Sequence, residues 1–300
     1  MSHPIFLPPG KTLGLFSPAG PSDVNKVRHA TVLYNCRGYE VVTYGPSQMV
    51  RRIYLAGTDE RRLESLTSLL EHPEIDAYLA RRGGFGSARL LPDLGDWSKI
   101  DPAKPIIGFS DITALHLARY FLTGVGGWHA PLLGTLYDSL EDDQDAYFSV
   151  LAGKGPNQWE FSGADILKDG VVRGPVLGGN LSVLWSLAAT PYWPSFEGAI
   201  LLLEEKDEVG YRLDRLLTSL YLSGVLNRAA GLVFGSFMNC GNFQAVAYMQ
   251  REAASRLRPG CPAVKGAPFG HRSTNRPWWV GEEAELMVKD GVGTLKFLER

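Results

Sequence analysis

In KPIIGFSDITALH, residues 104–116, Ser110 stands at the tip of an apolar run, and a helical pattern begins directly behind it. A serine in a strand–turn–helix passage, two residues after Gly108, resembles a nucleophile elbow. Such a sharp turn exposes Oγ and frees the next backbone N–H for an oxyanion. The stretch departs from G-x-S-x-G at Ile112, which counts against an α/β-hydrolase. A helix N-cap is the competing reading, because serine is a common cap. The residues alone leave both open.

A serine nucleophile needs a base, and the base needs an orienting group. Six histidines are present: His3, His29, His72, His116, His129 and His271. His271 sits in GAPFGHRSTNRPWW, a loop dense in glycine, proline and aromatics, where functional residues concentrate. His116 follows Ser110 on the same helix about 1.7 turns later and faces well away from it. His129, in GWHAP, reads equally well as a packed imidazole. A carboxylate directly after an apolar strand occurs in LLLEEKDE, where Glu204 and Glu205 point to opposite faces. At most one of them serves a given site, and simple solvation at a strand end is the competing reading.

ARRGGFGSARLL (80–91) places adjacent glycines after an apolar run and before a helical one. Such a turn leaves several N–H groups pointing outward, suited to a phosphate, a carboxylate or an oxyanion. It is neither G-x-G-x-x-G nor a P-loop. Arg81, Arg82 and Arg89 are candidates for pairing with a substrate carboxylate, against the plainer reading of a tight turn with solvated arginines. No metal-binding spacing of His, Cys or carboxylates occurs, so no metal is expected.

These residues need elements to position them. The first half alternates apolar runs (12–20, 39–45, 75–84, 104–110) with helical patterns (23–38, 58–73). That alternation means βαβ units and a mostly parallel sheet, with ligands beyond the carboxyl ends of the strands. Both the RRGG and the GFSD turns lie at that edge. Thr58 opens one helix as N-cap, although Arg61 stands where a capping box wants Glu. From about 138 to 170 the chain turns acidic and then rich in Gly, Pro and Asn, and a linker is expected there. The division is residues 1–150 as an α/β domain, 151–170 as linker and 171–300 as a smaller, β-rich domain. In the latter, 199–205 and 231–237 read as strands, 211–226 as an amphipathic helix, and the end as a hairpin through its DG turn.

Composition sets the outer limits. The 300 residues are 45% hydrophobic and 21% charged, with a formal net charge of −2. That is an ordinary globular chain without a basic footprint for nucleic acid. Three cysteines without CxxC spacing fit free thiols in a reducing compartment. No apolar run reaches membrane-spanning length, and the start lacks a signal-peptide pattern. A cytoplasmic address is the expectation.

Taken together the motifs resemble the LD-carboxypeptidases, peptidase family S66, through nearly the whole chain. RRGGFGSARLLPDLGDW is similar to the family's RGGYGxxRLL block, and GFSDITALH to its GxSDxTAL block. GPVLGGNLSVLWSLAATPYWP, the acidic GAILLLEEKDE block and PFGH follow in order. Departures are Phe85 for the usual Tyr and Glu205 where Asp is frequent. The resemblance implies Ser110 as nucleophile, His271 as base and then acid, and Glu204 as its orienting carboxylate. It also implies an oxyanion hole from the amides of Gly84 and Asp111, with Arg82 and Arg89 as candidates for the substrate carboxylate. The implied fold is a Rossmann-like, flavodoxin-like half carrying Ser110 and a β-rich half carrying Glu204 and His271, and many members are homodimers. The implied activity is release of terminal D-Ala from a murein tetrapeptide, at its bond to meso-diaminopimelate, without a cofactor. Two alternatives are a microcin-immunity peptidase acting on an acylated nucleotide-like toxin and a non-enzymatic murein-peptide binder. The first usually carries extra substrate-loop sequence, and the second need not keep Ser, Glu and His together.

Overall fold

The computed structural model describes residues 2–44, 52–97 and 100–299. Gly45, the end of the second expected strand, lies outside them. The apolar runs of the first half form β1 (Thr12–Phe16), β2 (Glu40–Val42), β3 (Ala77–Ala80), β4 (Ile106–Gly108) and β5 (Trp128–His129). Between and after them come α1 (Val24–Cys36), α2 (Asp59–Leu70), α3 (Ser87–Leu90), α4 (Thr113–Thr123), α5 (Leu133–Tyr137) and α6 (Glu141–Leu151). Asp23 caps α1 by accepting from the Lys26 N–H, and Thr58 caps α2 by accepting from the Arg61 N–H. The Thr58 cap uses a backbone N–H, so it forms whatever side chain stands at 61.

The second half contains β6 (Gln158–Ser162), β7 (Ile166–Lys168), β8 (Gly170–Asn180), α7 (Leu181–Ser186), β9 (Ile200–Lys206) and α8 (Gly210–Leu222). It continues with α9 (Val225–Arg228), β10 (Gly231–Met238), α10 (Phe243–Ser255), β11 (Ala263–Val264), β12 (Trp278–Trp279), β13 (Glu283–Lys289) and β14 (Val292–Phe297). The expected DG hairpin joins β13 to β14, with Asp290 and Gly291 both at positive φ, as a tight hairpin turn requires.

Two sheets result. The first has the order β12-β5-β4-β3-β1-β2, and β2, β1, β3, β4 and β5 run parallel. The second has the order β6-β14-β13-β8-β9-β10-β11-β7, parallel from β8 to β11 and antiparallel on either side. This is the mixed α/β architecture that the sequence announced.

Two parts of the expected division need correction. The stretch 138–170 is structured. α6 buries Tyr147 and Phe148 against Tyr34, whose Oη lies 2.8 Å from the Tyr147 Oη. Residues 151–170, expected as a linker, supply β6 and β7 to the second sheet. The Gln-Trp-Glu-Phe-Ser alternation buries Trp159 and Phe161, a period-2 signal that the surrounding Gly, Pro and Asn masked. The chain also crosses back: β12 pairs antiparallel with β5 and so extends the first sheet from within residues 171–300.

The halves meet where β8 ends. Gly179 has φ +129°, and a Cβ there would lie 2.4 Å from Thr113 Oγ1 at the start of α4. Thr113 Oγ1 instead accepts from the Asn180 N–H at 3.0 Å. Only glycine lets this backbone approach so closely.

Candidate active site

Ser110 is not a helix cap. An N-cap residue has extended φ and ψ, whereas Ser110 sits at φ +63° and opens a single 3-10 turn before α4. The α4 N-cap is Ile112, which makes no side-chain bond. A non-glycine residue in the left-handed region stores strain of order 1–3 kcal/mol and concentrates at functional sites. The turn lifts Ser110 above the carboxyl edge of β4, into a cleft of about 650 Å³ that Gly84, Asn180 and His271 also line.

The glycine turn after β3 packs directly on this serine. A Cβ on Gly83 would lie 3.1 Å from Ser110 Cβ and 3.3 Å from its Oγ. The Gly83 carbonyl accepts from the Gly20 N–H at 3.0 Å, on the β1 side. In a trans peptide the N–H points opposite to the carbonyl, so the Gly84 N–H is turned away from Gly20. The φ of +110° at Gly84 suits glycine alone. Asp111 locks the two turns together: its buried carboxylate accepts from the Ser87 N–H at 2.7 Å. Burial pushes the Asp111 carboxyl above its usual range, opposed by the Ser87 side chain, by the backbone of Ser87 and Gly86, and by Arg62.

His271 approaches from the second half. Its Nδ1 lies 2.7 Å from Glu204 Oε2, and its backbone N–H donates to the same oxygen at 3.2 Å. Glu204 is fully buried near the end of β9. Gly270 makes the contact possible, because at φ +98° its missing Cβ would stand 2.7 Å from Glu204 Cβ and 2.9 Å from Oε2. The loop is held by Ser236 Oγ, which donates to the His271 carbonyl, and by Asn275 Oδ1, which accepts from the Gly270 N–H. The His271 ring rests on Phe109, centroids 4.7 Å apart, next to the serine.

Glu205 turns elsewhere yet stays at the cleft. Its Oε1 accepts from Asn180 Nδ2 and the Lys206 N–H, and its Oε2 from the Ser182 N–H. Burial raises its pKa, against those three donors. This network is not legible along the chain, since Asn180 and Ser182 lie more than twenty residues before Glu205.

The arginines divide. Arg82 is exposed, lines the cleft and donates to the Pro21 carbonyl at 2.7 Å. Arg89, expected near a substrate carboxylate, is engaged by Asp59 through Nε (2.9 Å) and Nη2, and Asp59 also binds Arg62. Arg89 does not line the cleft, and its role is to brace α3 against the start of α2. Arg81, beside them in sequence, is buried and lines the cleft. His116 lies away from the cleft with Nε2 3.0 Å from the Gly108 carbonyl, and His129 is packed between Phe109, Phe269 and Trp278. Among the described residues no group of His, Cys, Asp and Glu converges as a metal would need. None of the described helices is long and apolar enough to cross a membrane.

The arrangement suits acyl transfer: a hydroxyl on a strained turn, an imidazole held by a buried carboxylate, and outward N–H groups. Comparison with known proteins agrees. The profile of the LD-carboxypeptidase N-terminal domain matches residues 13–130, and that of the C-terminal domain matches residues 173–286. A Bacillus subtilis protein named "Probable murein peptide carboxypeptidase" is 32% identical, over 98% of this chain and 94% of its own. Among solved structures, the muramoyltetrapeptide carboxypeptidase of Oxalobacter formigenes superimposes with a TM-score of 0.82 at 28% identity, over 96% of this chain and 98% of its own. The self-immunity protein MccF bound to glutamyl sulfamoyl guanosine has a TM-score of 0.84 at 20% identity, over 100% and 99% of the two chains, and shares the fold. With both domain profiles matched in order and the relative aligned nearly end to end, the chain belongs to the LD-carboxypeptidase family.

Proposed function

We propose that this enzyme is a serine LD-carboxypeptidase that releases the terminal D-alanine of a murein tetrapeptide. The observation that carries the proposal is the Glu204–His271 pair on the wall of the same cleft that presents Ser110 in a left-handed turn. Ser110 Oγ attacks the carbonyl before D-alanine while His271 takes the proton. The tetrahedral oxyanion is held by the N–H groups of Gly84 and Asp111, which is the largest electrostatic contribution in such sites. His271 returns the proton to the departing amine, and water repeats the cycle on the acyl-enzyme. Glu204 keeps the imidazole in the tautomer with its proton on Nδ1, leaving Nε2 to act on the serine.

The names of the relative and of the solved structure with the higher sequence identity support the murein substrate. The sequence identity to MccF is lower, so a nucleotide-like toxin is the second reading. Three free cysteines fit the proposed cytoplasmic setting.

Four peptides test the specificity, ending in D-Ala, L-Ala, D-Ala amide and D-Ala-D-Ala. Arg82 stands ready for the terminal carboxylate but is exposed, so amidation is expected to cost about 1.5–3 kcal/mol in kcat/KM. The L-isomer swings its methyl into the carboxylate's place and is expected to fare as badly. Equal cleavage of all four would make the enzyme a general peptidase and end the murein assignment.

A further inference from the structure

Arg81 follows β3 directly, and its side chain runs toward β2. Its Nη2 donates to Thr43 Oγ1 at 2.6 Å, while its Nε is buried without a hydrogen-bond partner among the described residues. The residue is 6% exposed. A buried guanidinium ordinarily has a carboxylate beside it, because desolvating an unpaired charge is expensive. Here none of the ion pairs of the described residues includes Arg81. The cleft's own carboxylates are engaged elsewhere: Asp23 caps α1, Glu205 accepts three donors, and Asp207 accepts from Asn239. Lys26, across the cleft, is paired with Asp138. Arg82 also lacks a carboxylate, but it is exposed and solvated.

From the cleft lining, the burial and the missing counter-ion we infer that Arg81 forms an anion subsite for a carboxylate of the substrate's acyl portion, remote from the bond that is cut. This rests on the carboxypeptidase reading proposed above. The strand order separates Arg81's guanidinium from the nucleophile. Thr43 follows β2 and Ser110 follows β4, and the order β4-β3-β1-β2 puts three strand spacings between them, about 14 Å. The Arg81 guanidinium lies at the Thr43 end. A terminal D-alanine keeps its carboxylate beside the scissile bond, so that group cannot reach Arg81 while Ser110 attacks. The acyl portion can, because it extends away from the nucleophile. In a tetrapeptide with meso-diaminopimelate third, it offers two carboxylates: the side-chain carboxylate of that residue and the free carboxylate of the γ-linked glutamate before it. A charge-assisted pair at this site replaces the water that a buried guanidinium has lost. Burial holds the Arg81 pKa below its ordinary value, and a bound carboxylate would relieve that.

The test compares kcat/KM for three tetrapeptides: both acyl-side carboxylates free, the diaminopimelate one amidated, and the glutamate one amidated. Each is measured with wild type, Arg81→Gln and Arg81→Lys. Wild type is expected to lose at least ~10-fold on one amidated peptide, chiefly in KM. Arg81→Gln is expected to lose a similar factor on the free acid and nothing further on that amide. Arg81→Lys recovers part of the loss. The peptide on which the two losses fail to add identifies the carboxylate. Unchanged turnover of that amide by Arg81→Gln shows that the variant is folded. Equal losses on all three peptides, or none, would overturn the subsite while leaving the carboxypeptidase reading intact. No alanine release from any peptide by wild type would overturn that reading and the subsite with it.

Discussion

Glu204 Oε2 accepts from both Nδ1 and the backbone N–H of His271, so one buried carboxylate fixes the ring and the main chain that carries it. A carboxylate that only stabilised the loop would not need the ring contact, and one that only oriented the ring would not need the backbone contact. The double contact sets the position of Nε2 in the cleft.

Gly270→Ala therefore tests the pair without touching a reacting atom. The new Cβ would fall 2.7 Å from Glu204 Cβ and must displace the carboxylate or the loop. A shift of about 1 Å in a catalytic group costs on the order of 10²-fold in rate. Steady-state kinetics are expected to show that loss in kcat with KM little changed. Wild-type kcat in this variant would contradict the role given to the pair.

Glu204→Gln and Glu205→Gln should separate cleanly. The first offers His271 an amide and is expected to lower kcat by about 10⁴-fold, as in other triads that lose their acid. The second replaces one of the two acceptor oxygens with an NH2 group that faces N–H donors, costing about 1–3 kcal/mol of stability. Chemical denaturation and kcat measured on both variants decide, and the reverse pattern would exchange the two roles.

Ser110→Gly is expected to abolish turnover and yet raise stability by about 1 kcal/mol, because glycine adopts φ +63° without strain. Ser110→Ala should be equally inactive, with no gain in stability. A less stable glycine variant would mean the turn is not strained.

Acid should weaken the fold through His116. Burial lowers its pKa from 6.5 to about 4, so between those values the unfolded chain binds the proton that the native state refuses. Stability is then full above pH 6.5 and falls as the pH drops toward 4, by about 3 kcal/mol from this group. Buried His129 shifts in the same direction, while Asp111 and Glu205, raised by burial, oppose it. The difference between wild type and His116→Gln isolates the effect, and urea unfolding from pH 7 to 4.5 should give the variant the shallower decline. Parallel curves would remove His116 from the account.

Much of this site could be read along the chain because its signals are local. Strand alternation separates Glu204 from Glu205, and the loop composition around His271 marks it out from five other histidines. Helix spacing sets His116 aside. What stayed hidden depends on partners distant in sequence. Nothing near Arg89 announces Asp59, thirty residues earlier, as its counter-ion. The exposed-looking RRGG run does not reveal that Arg81 is buried and Arg82 is not, because that depends on where β2 ends. Gly270 reads as an ordinary loop glycine until Glu204 is placed behind it. The strand β12 was illegible for the same reason: two tryptophans in a loop become a strand only because β5 offers them an edge.

The most direct measurement is mass spectrometry of purified disaccharide-tetrapeptide after incubation with the wild-type enzyme and with Ser110→Ala. The account predicts that the wild type removes one alanine, leaving the tripeptide, and that the variant leaves the substrate whole. An unchanged mass with wild type, or the same loss of alanine with Ser110→Ala, would contradict it.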